Sequence, residues 1–473
     1  MSNSFANAFL ANSHDARTEN GMKSFTSSAN PLVDLFFAAG ASRGKNIVPQ
    51  FKSAYQFNPE LTTRLALWLR DAREGAGERQ LFREILAFMV DHDLEMLTRI
   101  LPKVAEMGRW DDLLVLANTS AQDAAFSLIY DALNSDNAGL VAKWMPRKGP
   151  VAITLRNWLE LTPKQYRKLL VTLSDTVEQK MCARQWSEIN YSHVPSVAAA
   201  RYQKAFWKRD PTRYAAYVAE LSKPVEKRDP AVKINAGAVY PYDVIKTLRH
   251  RDLDGHAAQA QWDALPNYMG DSKILPLVDV SGSMDQPVAG SRSITCLDVA
   301  LSLGLYCADK NSGPFKDMFV TFSSRPQLIT LKGTIRQRLN AMETSNWSMN
   351  TNLHGAFSEI LALAVKTNVD PVDMPDTLLI LSDMQFDACI RHDDSAMQMI
   401  RRKYQDAGYK VPNVVFWNLN SRGGETPVRY NEKGVALVSG FSPSIVQSIL
   451  GASDDFTPEG IMMQTLTKDR YNF

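Results

Sequence analysis

Cysteine is scarce: the 473-residue chain holds four, at Cys182, Cys296, Cys307 and Cys389. That excludes a disulfide scaffold. No pair stands at CxxC spacing, which excludes a zinc knuckle or a thioredoxin-type redox site. A reducing, cytoplasmic setting is the expectation. Long apolar runs are missing as well. Stretches such as 360–365 fall far short of the ~18 residues that span a bilayer, so no membrane partner is expected. The opening segment lacks the basic start and apolar run of a secretory signal. The seven histidines show no HxxxH pairing. Neither Gly75-Ala76-Gly77 nor Gly149-Pro150 is followed by the Lys and hydroxyl residue of a phosphate loop. No Ser/His/Asp or Cys/His arrangement emerges.

The remainder is ordinary for a folded protein. The chain is 45% hydrophobic and 22% charged, which excludes disordered and collagen-like chains. Its length suits two to four domains. The net charge of +2 hides an asymmetry: residues 140–260 carry 21 Lys and Arg against 11 Asp and Glu. A basic block inside an otherwise acidic chain is the electrostatic footprint of a polyanion partner, with a solvated helical surface as the alternative. Within it, Lys143, Arg147, Lys148, Arg156, Lys164, Arg167, Lys168, Arg201, Lys204, Lys208, Arg209 and Arg213 are the candidate RNA contacts. Aromatic residues interleave with them at Trp186, Tyr191, Tyr202, Phe206 and Trp207. Cations neutralise phosphates and rings stack on unpaired bases. The spacing of Tyr202 and Phe206 also fits the buried face of a helix.

The first half reads as successive helices. Leu61, Leu65, Trp68, Leu69 and Ala72 repeat with helical period, as do Leu81, Phe82, Ile85, Leu86 and Met89. Further helices are expected over 104–116 and 124–133. Thr162 followed by Pro163 marks a helix start. Strand-like alternation is nearly absent before residue 270, so a HEAT-like helical repeat is expected over 1–270. After 270, short apolar runs alternate with helical patterns. This predicts a doubly wound, mostly parallel sheet over 271–473, with its site at the carboxyl ends of the strands.

The strongest local signal lies at such an end. The apolar run 274–280 contains Asp279, and hydroxyls follow two and four residues on, at Ser281 and Ser283. Gly282 between them suggests a tight turn. A second apolar run ends in Ser382-Asp383, and Asn350-Thr351-Asn352 opens a helix with a further hydroxyl. Carboxylates and neutral oxygens gathered around one point suit a hard divalent cation, Mg²⁺ or Mn²⁺.

These pieces, in this order, resemble the metal-ion-dependent adhesion site (MIDAS) of von Willebrand factor A domains. The resemblance implies that Asp279, Ser281, Ser283, Thr351 and Asp383 hold the cation. The position two residues after Asp279 is Ser281, so the acid/base pair of haloacid dehalogenase phosphatases is missing. In the first half, Glu19-Asn20-Gly21, Arg70-Asp71, Gly77-Glu78-Arg79, Gly108-Arg109-Trp110-Asp111-Asp112 and the stretch 181–206 resemble the DUF2828 family. That family pairs a helical region with a von Willebrand A-like domain. Its layout is similar to the Ro, or TROVE-module, proteins, which bind small noncoding or misfolded RNA. The resemblance implies a non-enzymatic RNA-binding protein. The alternatives are an adaptor that captures an acidic residue of a protein partner at the metal site, and a metal-dependent hydrolase with Asp285 or Asp387 as base.

Overall fold

The computed structural model describes residues 14–473 except 137, 251–254, 289–293, 323–326, 346–352, 387–395, 422–423 and 453–454. The chain forms two compact units. One joins the residues up to Thr62 with Asn267–Lys468; the other comprises Thr63–Pro266 and Asp469–Phe473. The expected cut at 270/271 lies close to the chain's return at Asn267. Residues 14–62, however, cluster with the sheet and not with the helices that follow them.

The physical reason lies in two short segments. Strands β1 (Ala16–Arg17) and β2 (Lys23–Ser24) pair antiparallel as a hairpin, and two residues are too few to show period-two alternation. Helix α1 (Pro31–Ala39) follows, capped by Asn30, whose side chain accepts from the Leu32 and Val33 amides. Leu32, Val33, Leu35, Phe36 and Phe37 are all buried. That is too many for one amphipathic stripe and suits a helix enclosed on several sides. Helix α2 (Val48–Phe57) packs against α1.

The helical unit continues with α3 (Pro59–Arg70), α4 (Arg79–His92), α5 (Leu94–Met107), α6 (Gln122–Leu133), α7 (Ala138–Trp144), α8 (Pro150–Trp158), α9 (Pro163–Leu173), α10 (Val177–Cys182), α11 (Ser196–Arg209), α12 (Pro211–Leu221), α13 (Pro241–His250) and α14 (His256–Asp263). The expected start at Thr162 is present: its hydroxyl accepts from the Gln165 amide while the Gln165 side chain returns to the Thr162 amide, a capping box. The helix expected over 104–116 is not continuous. α5 ends at Met107, and a 3₁₀ turn occupies Trp110–Leu116. Within that turn Asp112 accepts from the Arg109 amide and from the Arg70 side chain.

The second half of the sheet unit runs β3 (Ile274–Asp279), α15 (Cys296–Lys310), β4 (Met318–Phe322), β5 (Leu328–Thr330), α16 (Ile335–Glu343), α17 (Leu353–Thr367), β6 (Thr377–Ser382), α18 (Ala396–Asp406), β7 (Asn413–Asn418), β8 (Val435–Ser439), α19 (Val446–Gly451) and α20 (Pro458–Leu466). The strand order is β5-β4-β3-β6-β7-β8, with only the edge strand β5 antiparallel. Every residue of β3, β6 and β8 is buried, as expected for a sheet covered on both faces. α15 lies so close to β3 that a Cβ at Gly304 would stand 2.5 Å from Val278 Cγ2. At the far end α1 packs on β8 and α20. Ser439 Oγ donates to Phe36 O at 2.6 Å, and a Cβ at Gly40 would come 2.7 Å from Ser439 O. Among the described residues no helix is long and apolar enough to cross a membrane.

Candidate metal centre

β3 and β6 are neighbours at the middle of the sheet, and the chain leaves them in opposite directions: β3 leads to β4 and β6 leads to β7. This is the switch point of an open parallel sheet, where a crevice opens beyond the carboxyl ends of the strands. Asp279 ends β3, and Asp383 follows β6 directly.

Asp279 is fully buried. Its Oδ1 accepts from the Ser281 amide at 2.9 Å, and its Oδ2 accepts from Ser382 Oγ at 2.5 Å. Ser281 Oγ and Ser283 Oγ lie 3.0 Å apart, and Ser283 Oγ donates to Asp383 Oδ1 at 3.3 Å. Four of the five expected ligands therefore stand together, joined through hydrogen bonds of 2.9 to 3.3 Å. The fifth, Thr351, lies outside the described residues, as does Asp387. Burial pushes the Asp279 carboxyl up to about 6, helped by the charge of Asp383 and opposed by the bonds from Ser382 and Ser281. Two carboxylates share this buried place, and a divalent cation between them would relieve that cost. Among the described residues no three His, Cys, Asp or Glu are grouped so that they could hold a metal ion between them. The donor set is oxygen only, two carboxylates with hydroxyls, and it fits Mg²⁺ or Mn²⁺ better than zinc.

Two details differ from expectation. Gly282 is not required for its turn: its φ is outside the left-handed region, and a Cβ there would meet nothing within 4 Å. The left-handed residue is instead Met384, φ 67°, directly after Asp383. Ser382 is the residue that sequence reasoning passed over. Its hydroxyl donates to Asp279 and accepts from the Met384 amide at 3.1 Å. The neighbouring Ser-Asp pair was the available signal, but nothing local shows that the hydroxyl reaches the other strand. Asp285 is exposed in the 3₁₀ turn Gly282–Asp285.

In the helical unit the cations and the rings separate. Arg147, Lys148, Lys164, Arg167, Lys168, Arg201, Lys204, Lys208, Arg209 and Arg213 are exposed, while Lys143 and Arg156 are half-buried. Lys143 pairs with Glu178 at 3.2 Å. Arg147 donates to Ser174 Oγ at 3.3 Å and Arg156 to Asn157 Oδ1 at 3.4 Å. Arg213 is held by Asp210 at 2.9 Å and by the carbonyls of Trp186 and Ile189. It braces the fold more than it offers a free charge. Lys148, Lys164, Arg167, Lys168, Lys204, Lys208 and Arg209 make no ion pair among the described residues. Arg201, Lys204 and Lys208 recur at helical spacing along one face of α11.

The interleaved rings divide into two that are buried and three that are half-buried. Tyr191 and Phe206 are buried, with Trp186, Tyr202 and Trp207 packed against the same core. Their centroids stand close, 5.1 Å for Tyr191–Phe206 and 5.0 Å for Tyr191–Tyr214. Ring burial outweighs ring exposure because each buried aromatic removes a large apolar area from water.

A helical unit and a doubly wound, mostly parallel sheet unit with paired aspartates at its switch point define the class of this protein. The chain belongs to the DUF2828 family. The model of that domain of unknown function matches residues 18–128 and 151–274, and a second domain of unknown function, DUF7788, matches residues 273–470. An uncharacterized protein of Acanthamoeba polyphaga mimivirus, L728, is 29% identical over 513 residues, covering 95% of this chain and 86% of its own. The crystal structure of the Deinococcus radiodurans Ro (RSR) protein aligns with a TM-score of 0.42 at 15% identity, covering 93% of this chain and 99% of that one.

Proposed function

We propose that this is a non-enzymatic RNA-binding protein whose sheet unit captures an anionic oxygen through a divalent cation. Asp279, Ser281, Ser283, Thr351 and Asp383 would hold the ion. The observation that carries the metal reading is the hydrogen-bonded set from Ser382 through Asp279 and Ser281 to Ser283 and Asp383. A bound Mg²⁺ or Mn²⁺ supplies positive charge that neutral hydroxyl ligands leave partly uncompensated, which favours a carboxylate or phosphate oxygen. RNA is supported by the exposed cations of 147–209, which suit phosphate contacts.

A protein adaptor is the second reading, favoured by the burial of Tyr191 and Phe206, two of the rings that would otherwise stack on bases. Salt separates the two. RNA held by phosphate contacts dissociates steeply as salt rises, whereas capture of an acidic residue at the cation follows the divalent ion and resists moderate salt. Catalysis would need a base beside the ion. Asp285 is exposed, Asp387 lies outside the described residues, the carboxylates at the centre serve as ligands in this reading, and Mg²⁺ acidifies bound water poorly. The purified protein with Mg²⁺ should therefore show no phosphatase or nuclease turnover. Turnover lost in Asp279→Ala and kept in a surface variant would overturn the non-enzymatic assignment.

A further inference from the structure

The hairpin of β1 and β2 reaches the loop that carries Asp383 at three points. Thr18 Oγ1 donates to Phe386 O at 2.7 Å, the Glu19 amide donates to Gln385 Oε1 at 2.7 Å, and Asn20 Nδ2 donates to Gln385 O at 2.8 Å. Gln385 in turn donates its amide to Asp383 Oδ1 at 3.3 Å. Thr18, Gln385 and Phe386 are all buried, so the Thr18–Phe386 bond is shielded from competing water, while the bonds of Glu19 and Asn20 lie at its partly exposed edge. Between Asp383 and Gln385 stands Met384 in the left-handed region. A non-glycine residue relaxes out of that conformation unless its surroundings hold it there. The Ser382 hydroxyl holds one side of Met384, and the hairpin contacts hold the other.

The hairpin is weakly self-sufficient. Its strands have two residues each, and an isolated hairpin of that size is not stable in water. It stays in place through Met22 and Phe25, which are buried, and through the pairing of Phe25 with Thr426. Its place is set by these tertiary contacts and not by its own pairing.

We propose that Thr18, Asn20 and Gln385 are positioning residues for Asp383, and that docking of the 16–24 hairpin and filling of the cation site are linked, each favouring the other. The cation half of this proposal rests on the metal reading above; the positioning half does not. Linkage is reciprocal: whatever the docked hairpin adds to cation affinity, the bound cation adds to hairpin docking.

The test uses the full chain with Mn²⁺ as probe, reading affinity by calorimetry and amide exchange by mass spectrometry. Thr18→Val removes the hydroxyl, Thr18→Ser restores it, and Asn20→Ala, at an exposed position, serves if the valine variant does not fold. Thr18→Val is expected to weaken Mn²⁺ by about tenfold, in the usual range of such couplings. Thr18→Ser should stay within about twofold of wild type and Asn20→Ala should fall between. Exchange over 383–386 should accelerate in Thr18→Val and not in Thr18→Ser, and Mn²⁺ should slow exchange over 16–24 in the wild type. Unchanged exchange over 383–386 in Thr18→Val overturns the positioning role. Unchanged exchange over 16–24 with Mn²⁺ bound, or wild-type affinity in Thr18→Val, overturns the linkage. If the wild type takes up no Mn²⁺, the metal reading and the linkage fall together, while exchange over 383–386 still decides the positioning role.

Discussion

Ser382 Oγ donates a 2.5 Å hydrogen bond to Asp279 Oδ2, joining the ends of two adjacent parallel strands through a residue that is not itself an expected ligand. The bond keeps the Asp279 carboxylate oriented toward Ser281 and Ser283, and it partly offsets the cost of burying that charge.

Asp279→Asn should separate metal binding from stability. Near neutral pH the metal-free wild type holds a buried carboxylate, and the neutral amide relieves that cost. In chelator the variant should melt at or above the wild-type temperature. Saturating Mn²⁺ at a hundredfold over Kd should stabilise the wild type by about 3 kcal/mol and leave the variant unchanged. A variant that still shifts with Mn²⁺ in thermal melts would move the metal elsewhere.

The pH dependence follows from the same residue. The folded carboxyl titrates at about 6, above the ~3.9 of an unfolded aspartate. Below both values the folded and unfolded states are protonated alike, and the stabilising contribution of the neutral carboxyl is fully present. As pH rises from ~4 to ~6 the folded state binds the extra proton, so metal-free stability falls, by about 3 kcal/mol, and then levels. Denaturant titrations in chelator across pH 4 to 8 should show this slope, and Asp279→Asn should remove it. Mn²⁺ affinity should run the other way, falling about tenfold per unit below pH 6 as protons compete for the ligand.

Charge reversal on α11 tests the cationic face. Changing Arg201, Lys204, Lys208 and Arg209 to Glu leaves the buried face of the helix, Ala199, Gln203 and Phe206, untouched. RNA affinity should drop by about tenfold or more across unrelated sequences, and the slope of log K against log salt should flatten. Equal affinity and slope in filter binding would return this surface to the solvent.

Asp71 anchors the end of the chain within the helical unit. Arg470 reaches its two oxygens at 2.5 and 2.9 Å, and Tyr471 donates to it at 3.2 Å. Asp71 is fully buried while Arg470 keeps access to water. Asp71→Asn should therefore cost about 2–3 kcal/mol, below the range for a fully buried pair. Chemical denaturation followed by tryptophan fluorescence would measure it, and a loss under half a kcal/mol would reduce the pair to a surface contact.

Much of the fold was legible in local pattern. The strand runs after residue 274, the Thr162 helix start, and the order Asp279, Ser281, Ser283, Asp383 are all short-range features. Apolar period and cap chemistry act over a few residues, and so they survive in a single sequence. The break after Met107 was less legible, because Val104 and Met107 of α5 and Leu113 and Leu116 of the 3₁₀ turn are all buried, and together they read as one helix.

What the sequence by itself determined was which residues stand at strand ends and which helices carry charge. Tertiary structure alone decided which of those ends meet. It brought Ser382 to Asp279, set the 16–24 hairpin on the loop after β6, gathered residues 14–62 onto the sheet, and turned the rings around Tyr191 inward. Each of these joins residues far apart in the chain. Their loop-closure cost is met by burying apolar area elsewhere, in α1 against β8 and in the core around Phe206, so no local signal records them.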